Sequence, residues 1–295
     1  MSRITAVADI GSNTAHLLVG TVTNCRVKRL ANQSVWLDLG QHVREHGEFR
    51  PEKVQAIIVA LKHYKKVATA LGDSNLYCFA TQAMREAVNS DFVLKKIEKE
   101  AKVKVNVISA EEEATYSCRA ISSEFPDVTK AVMVEIGGGS VQVATWEQNK
   151  LKSLQSLPLG TGFLAARVQL THPSEQDQID QLEAAISEHC ASIQPREKGT
   201  PVILCGGVTR GIWRALHPDG DPVLHVKELD FLTWDCRRLT GTEIASRYRV
   251  KPKRALTLAT GSRVLSQILN SLGTESATVC QFGVREGAIL SLASS

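Results

Sequence analysis

Asp9-Ile-Gly-Ser-Asn-Thr14 returns 126 positions later as Glu135-Ile-Gly-Gly-Gly-Ser140. Each copy follows a strand-like apolar run and precedes a second one, so each reads as the turn of a β-hairpin. Superposing the copies aligns Asp9 with Glu135, Gly11 with Gly137 and Thr14 with Ser140. A duplicated unit of this size needs two cores, and 295 residues are enough for two of roughly 100–150 each.

The rest of each half follows the same plan. In the first, three strand-like runs lead to VWLDLG, and Pro51 then opens a helix whose apolar residues recur from Val54 to Leu71 until Gly72 stops it. NLYCFA is a short strand, residues 82–101 read as helix broken at Asn89-Ser90, VKVNVIS is a strand, and residues 110–121 are helical. In the second half, three strands are followed by a helix over 174–192, the strand PVILC, a glycine pair, a helix over 208–216, a long helical region over 227–271, the strand ATVCQF and a closing helix over 283–293. Antiparallel strands followed by alternating strands and helices give an α/β fold with mixed five-stranded sheets flanked by helices. The polar turn Phe125-Pro126-Asp127 sets the expected boundary, with domains 1–125 and 126–295. Two tandem sheets of this kind are expected to face each other across a cleft that holds both turns, and such clefts favour small ligands.

Composition narrows the class. Hydrophobic residues at 43% and charged residues at 22% are those of a globular chain. No apolar run is long enough to span a bilayer, and Asp9 interrupts the N-terminus before a signal-peptide core forms, so the expectation is a cytoplasmic protein without a membrane partner. Seven scattered cysteines with no C-x-x-C pair indicate neither a disulfide framework nor a zinc knuckle. A net charge of +4 points to a local anionic ligand rather than to nucleic acid.

The turns suggest what that ligand is. A glycine-rich turn presents consecutive backbone N–H groups unobstructed by side chains, which makes a concave donor surface for phosphate oxygens. Ser12, Asn13 and Thr14 in one copy, and Gly137, Gly138, Gly139 and Ser140 in the other, fit that role. Asp9 and Glu135, at equivalent places, suit a hydrated Mg²⁺ or Mn²⁺, an ion held by few carboxylates, waters and substrate phosphates. In ISAEEEATY, Ser109 caps a helix whose first turn carries Glu111, Glu112 and Glu113; the helix dipole accounts for acidic residues there, and one of them is a candidate general base. Arg85 stands just beyond a strand end, where open α/β sheets bind ligands. RYRVKPKR places Arg249, Lys251 and Lys253 among five basic residues in eight, a density that attracts a polyanion.

DIGSNT, ATQAMREAVN, ISAEEEA, EIGGGSVQ, LPLGTGFL, LCGGVTRGI and FGVREGAIL occur in the order and spacing of the exopolyphosphatase and guanosine pentaphosphate phosphohydrolase family, which the chain resembles from Ala6 to Leu290. The resemblance implies two actin-like, ribonuclease-H-like domains, a divalent metal, a homodimer, and hydrolysis of terminal phosphoanhydride bonds in inorganic polyphosphate or a phosphorylated guanosine nucleotide. It implies acidic roles on the metal and phosphate side for positions 9 and 135, phosphate contacts from the two turns, a substrate-charge partner in Arg85, and the water-activating base in Glu113. With no His-Asp dipeptide and an end at FGVREGAILSLASS, the chain is similar to the short two-domain members.

The chain departs from the family in one motif. Where relatives read Asp-Ile-Gly-Gly-Gly-Ser-Thr-Glu, it has Glu135 and Gln142. Glu135 keeps the charge with one more methylene; Gln142 neither takes up a proton at neutral pH nor adds charge for a cation. If the carboxylate at 142 is essential, the chain is a catalytically impaired polyphosphate or alarmone sensor; if Glu113 suffices as base, activity survives. A sugar or acetate kinase would show ATP-coupled transfer, with LCGGVTRGI as its adenosine edge, and an actin-like filament protein would sediment with nucleotide.

Overall fold

The computed structural model describes residues 3–148 and 150–293, apart from the side chain of Leu256. The chain divides into two compact units: one runs up to Asp127 and resumes at Phe282, and the other is Val128–Gln281. The second unit is therefore shorter than 126–295, because the last helix belongs to the first unit.

In the first unit, strands β1 (Ile4–Ile10), β2 (Thr14–Thr23) and β3 (Arg26–Trp36) form an antiparallel meander, followed by helices α1 (Leu39–His46) and α2 (Pro51–Ala70). Then come β4 (Tyr77–Ala80), α3 (Gln82–Glu86), α4 (Ser90–Ala101), β5 (Val105–Val107) and α5 (Ala110–Glu124). The sheet order is β3-β2-β1-β4-β5, with β1, β4 and β5 parallel. Side chains alternate between its faces. Ala6, Ala8, Ile10, Ala15 and Leu17 pack with Ile57, Ile58, Tyr64, Val93 and Ile97 of α2 and α4. Val7, Leu18 and Phe79 face the other way, toward Tyr116 of α5 and Ile289 of the returning helix.

The second unit repeats the meander as β6 (Lys130–Ile136), β7 (Val141–Glu147) and β8 (Lys150–Leu157), followed by α6 (Thr161–Arg167), α7 (Gln176–Cys190), β9 (Val202–Cys205) and α8 (Gly206–Leu216). It continues through β10 (Val223–His225), α9 (Val226–Arg237), α10 (Gly241–Arg247), α11 (Pro252–Ser271) and β11 (Ser276–Val279). The sheet is six-stranded, β10-β11-β9-β6-β7-β8, and not five-stranded, because the three-residue β10 adds an antiparallel edge beside β11. The long helical region expected over 227–271 consists of three helices, separated at Thr240 and Lys251, each an N-cap in extended conformation.

Helix α12 (Val284–Ala293) completes the first unit. Gly287 allows its backbone to lie against α5: a β-carbon there would fall 1.8 Å from the Tyr116 carbonyl oxygen. Glu286, 2% exposed, meets Arg29 of β3 at 2.8 Å and accepts the Gly283 N–H, so a buried carboxylate with two partners fixes the helix over the sheet. Among the described residues no cysteine forms a disulfide and all but Cys25 are buried. None of the described helices is long and apolar enough to cross a membrane.

Candidate phosphate-binding and catalytic site

The two hairpin turns are the same structure. Gly11 N–H donates to the Thr14 carbonyl at 3.0 Å and Gly137 N–H to the Ser140 carbonyl at 2.9 Å. Asp9 lies opposite His16 across the first hairpin, and Glu135 opposite Gln142 across the second.

In both units the loop carbonyls are tied back by the chain that enters the next helix. The Asn13 carbonyl accepts from Leu37 and Asp38, and that of Ser12 accepts from Gly40 at 2.7 Å. In the second unit, the Gly139 carbonyl accepts from Gly160, that of Gly137 from Thr161, and that of Gly138 from Gly162 and Phe163. Peptide groups are planar with N–H and C=O opposed, so pinned carbonyls turn the loop amides outward as anion donors. None of these loop glycines has positive φ, so left-handed geometry is not what they supply. Close approach is the requirement: a β-carbon on Gly160 would lie 2.2 Å from the Gly139 carbonyl carbon, and one on Gly40 would lie 2.8 Å from the Ser12 β-carbon. Both glycines close stretches visible in the sequence, Leu37-Asp38-Leu39-Gly40 and Leu157-Pro158-Leu159-Gly160, which repeat the pattern Leu-x-Leu-Gly at corresponding places, but their role in holding the loops is legible only in the structure.

In the first unit, Asp9, Arg85 and Glu113 all arise at the C-terminal edge of parallel strands: at the end of β1, after β4 and after β5. The three glutamates of α5 separate cleanly. Glu112 closes a capping box with Ser109, accepting the Ser109 N–H at 2.8 Å while its own N–H reaches Ser109 Oγ at 3.1 Å. Glu111 is exposed, whereas Glu113 is part-buried, with Oε2 3.5 Å from Arg85 Nη2. Arg85 is braced from behind, donating through Nη1 to the Ile108 carbonyl at 2.5 Å. Glu113 and Arg85 thus form a carboxylate–guanidinium pair held by two successive strand ends.

Asp9 is part-buried, yet its Oδ1 is shut off from solvent and has no hydrogen-bond partner. Burial pushes its carboxyl up from 3.8 to about 6, and the positive charge of Arg285 on α12 opposes that rise. Arg285 is itself 9% exposed, with Nη1 3.4 Å from Asn32 Oδ1 of β3. Alternation along β1 and β2 puts Asp9 and His16 on the α5 and α12 face of the sheet. Arg285 and His16 were not singled out from sequence. The first was hidden by its distance along the chain; the second is the first-unit counterpart of Gln142 once the hairpins are aligned. An orphaned carboxylate oxygen is a hard donor that fits a divalent cation. Among the described residues no three His, Cys, Asp or Glu side chains converge, so a cation at Asp9 would draw its remaining ligands from water and phosphate.

In the second unit Glu135 ends β6 beside Cys205 of β9. Gly206, at φ 95°, lets α8 begin against it, since a β-carbon there would lie 2.9 Å from the Ile136 carbonyl oxygen and 3.2 Å from Glu135 Cγ. Gln142 is 3% exposed and its Oε1 has no hydrogen-bond partner. The basic run is divided rather than continuous. Arg247 is committed to Asp235 by bonds of 2.6 and 2.7 Å, and Arg254 donates to the Gly207 carbonyl at 2.7 Å. Arg249, Lys251 and Lys253 remain exposed at the connection between α10 and α11.

Comparison with known proteins places this arrangement. The sequence profile of the Ppx/GppA phosphatase family matches residues 18–295. Exopolyphosphatase 1 of Mycobacterium leprae is 26% identical over 299 residues, covering 96% of this chain and 88% of that protein. A bifunctional 3-dehydroquinate synthase/phosphatase of Fusobacterium nucleatum is 25% identical, covering 97% of this chain and 46% of the larger protein. The fold is shared with an exopolyphosphatase from Cytophaga hutchinsonii (TM-score 0.86, 20% identity, covering 99% of this chain and 98% of that one). It is shared also with the Aquifex aeolicus Ppx/GppA family member (TM-score 0.84, 22% identity, 98% of each chain). The two sheets flanked by helices are therefore actin-like, and the chain belongs to the Ppx/GppA phosphatase family.

Proposed function

We propose that the chain hydrolyses the terminal phosphoanhydride bond of inorganic polyphosphate, releasing orthophosphate, and that guanosine pentaphosphate is a further candidate substrate. The carrying observation is the Glu113–Arg85 pair, which leaves one carboxylate of the acidic turn for proton transfer beside one cation for phosphate charge. Membership of a phosphatase family and the resemblance to named exopolyphosphatases support the reaction class.

In this reading Glu113 takes a proton from water as the water oxygen attacks the terminal phosphorus. The P–O bond to the rest of the polymer breaks, and the shortened chain leaves with the electron pair. Arg85 and the outward amides of the turn at 11–14 neutralise the equatorial oxygens, the main task in phosphoryl transfer, and the turn at 137–140 offers the same kind of donor surface in the second unit. Asp9 is the carboxylate proposed to hold Mg²⁺ or Mn²⁺ in the first unit, and Glu135 occupies the equivalent position of the second. When bound, such an ion supplies further neutralisation of phosphate charge.

One observation favours a second reading. Gln142 is buried with an orphaned amide oxygen at the place where the family pattern in the resemblance has glutamate, which fits a polyphosphate or alarmone sensor with impaired turnover. Phosphate release from polyphosphate by the wild type and Gln142→Glu separates the two. Release by the wild type supports the hydrolase; release by the variant alone refutes the hydrolase reading and leaves the sensor.

A further inference from the structure

The first unit carries a lysine face that the proposed reaction does not use. Lys95, Lys99, Lys102 and Lys104, with Glu98, line an open depression of about 600 Å³ at the C-terminal end of α4. Lys65 of α2 reaches the same place, donating through Nζ to the Lys102 carbonyl at 2.7 Å. Five lysines against one glutamate give a local excess equal to the net charge of the whole chain, +4. Among the described residues none of the four lining lysines lies within ion-pair distance of a carboxylate, whereas adjacent Lys96 stands 4.0 Å from Glu100.

Two local rules are broken here at once. Lys95 and Lys99 stack like charges at i and i+4 on an exposed helix face, which is destabilising. Lys102 closes α4 at φ 55°, a left-handed position at which glycine is unstrained. Glycine fills such positions after α1, α2 and α11 (Gly47 at φ 73°, Gly72 at 104° and Gly273 at 69°), whereas Gln169 at 49° after α6 and Arg249 at 51° after α10 share the geometry of Lys102. The like-charge pair is a local conflict without an internal gain, and such conflicts concentrate at functional or strained sites.

We propose that this face is a second, non-catalytic holding site for the distal part of a long polyphosphate chain. Lys102 and Lys104 precede β5 and Glu113 follows it, so the face lies at the opposite edge of the sheet, at least the three residues of β5 away, roughly 10 Å. Only a polymer long enough to reach past that edge engages both places. The chemistry of the face is that of point charges. It has no arginine fork for bidentate recognition and no aromatic ring among its lining residues on which a base would stack, which favours an inorganic polyanion over nucleic acid. The proposal rests on the hydrolase reading for its substrate, and the test separates the two.

The experiment compares the wild type with the triple variant Lys95→Glu, Lys99→Glu, Lys104→Glu, all exposed positions, after matched thermal melts confirm folding. Holding the polymer at a second site makes its engagement intramolecular, which raises avidity by up to about 10²–10⁴-fold where the polymer spans both places. KM for chains of several hundred phosphates should rise about 10-fold or more in the variant and lose much of its salt dependence, with kcat and the KM for tripolyphosphate unchanged. Equal shifts at both lengths, or none, overturn the proposal. If the wild type releases no phosphate from any chain, the hydrolase reading fails, and the face is then judged by binding of fluorescent long-chain polyphosphate. Loss of binding in the variant supports the holding site and unchanged binding refutes it. Tighter binding of a single-stranded RNA of equal charge than of polyphosphate also refutes it.

Discussion

Replacing Asp9 with asparagine separates what the carboxyl costs the fold from what it does for a ligand. Burial moves the acid from 3.8 to about 6, so the folded chain holds its proton over a pH range in which the unfolded chain has lost it. Stability therefore falls as pH rises from 3.8 to about 6, and the penalty is then constant. At about 1.4 kcal/mol for each pH unit, the ionised carboxylate costs the fold about 3 kcal/mol above pH 6. Below pH 3.8 the carboxylic acid and an amide are both neutral, and the two proteins should be similarly stable. Urea unfolding at pH 4, 6 and 8 should show Asp9→Asn gaining on the wild type as pH rises, by up to about 3 kcal/mol at pH 8. Mg²⁺ at 100 times its Kd should return about 2.7 kcal/mol to the wild type at pH 8 and nothing to the variant. A variant no more stable than the wild type at pH 8, or a gap of the same size at pH 4, would show that Asp9 is not paying a burial cost. A Mg²⁺ gain shared by the variant would place the cation elsewhere.

Other perturbations test the supports of the site. Gly160→Ala puts a β-carbon 2.2 Å from Gly139 and must displace the loop, so phosphate-dependent protection against thermal unfolding should be lost; retained protection would mean that the loop is not the anion site. Gly287→Ala meets the Tyr116 carbonyl oxygen at 1.8 Å and should destabilise the first unit by about 2–3 kcal/mol in denaturant unfolding, with a neutral result refuting the close α5–α12 packing. Arg285→Gln removes the charge that opposes the Asp9 shift, so the Asp9 carboxyl, followed by carboxyl-carbon NMR, should titrate above 6; an unmoved titration would show that the two groups are not coupled.

The duplicated hairpins were fully legible because a glycine turn between two alternating strands is a local signal, and two copies confirm each other down to the register of Asp9 with His16 and Glu135 with Gln142. From the residues alone Glu113 was legible as one of three, and the family resemblance named it; in the structure the capping box takes Glu112, Glu111 is exposed, and Glu113 is the one beside Arg85. What the sequence hid was long-range. Helix α12 returns to the first unit through Gly287 and the Glu286–Arg29 pair, which no local pattern announces. The edge strand β10 has three residues, too few for periodicity to register. The run RYRVKPKR looked continuous because composition ignores partners, and the buried carboxylate of Asp235 had already claimed Arg247.

The central claim is that Glu113 activates water for attack on a phosphoanhydride. Its most direct test is phosphate release from long-chain polyphosphate with Mg²⁺ by the wild type and Glu113→Gln, alongside polymer affinity measured without turnover. The expected result is release by the wild type, with kcat lowered about 10²–10⁴-fold in the variant and affinity preserved, the loss typical of removing a general base. Equal kcat in the two proteins, or a loss carried entirely by affinity, would contradict it.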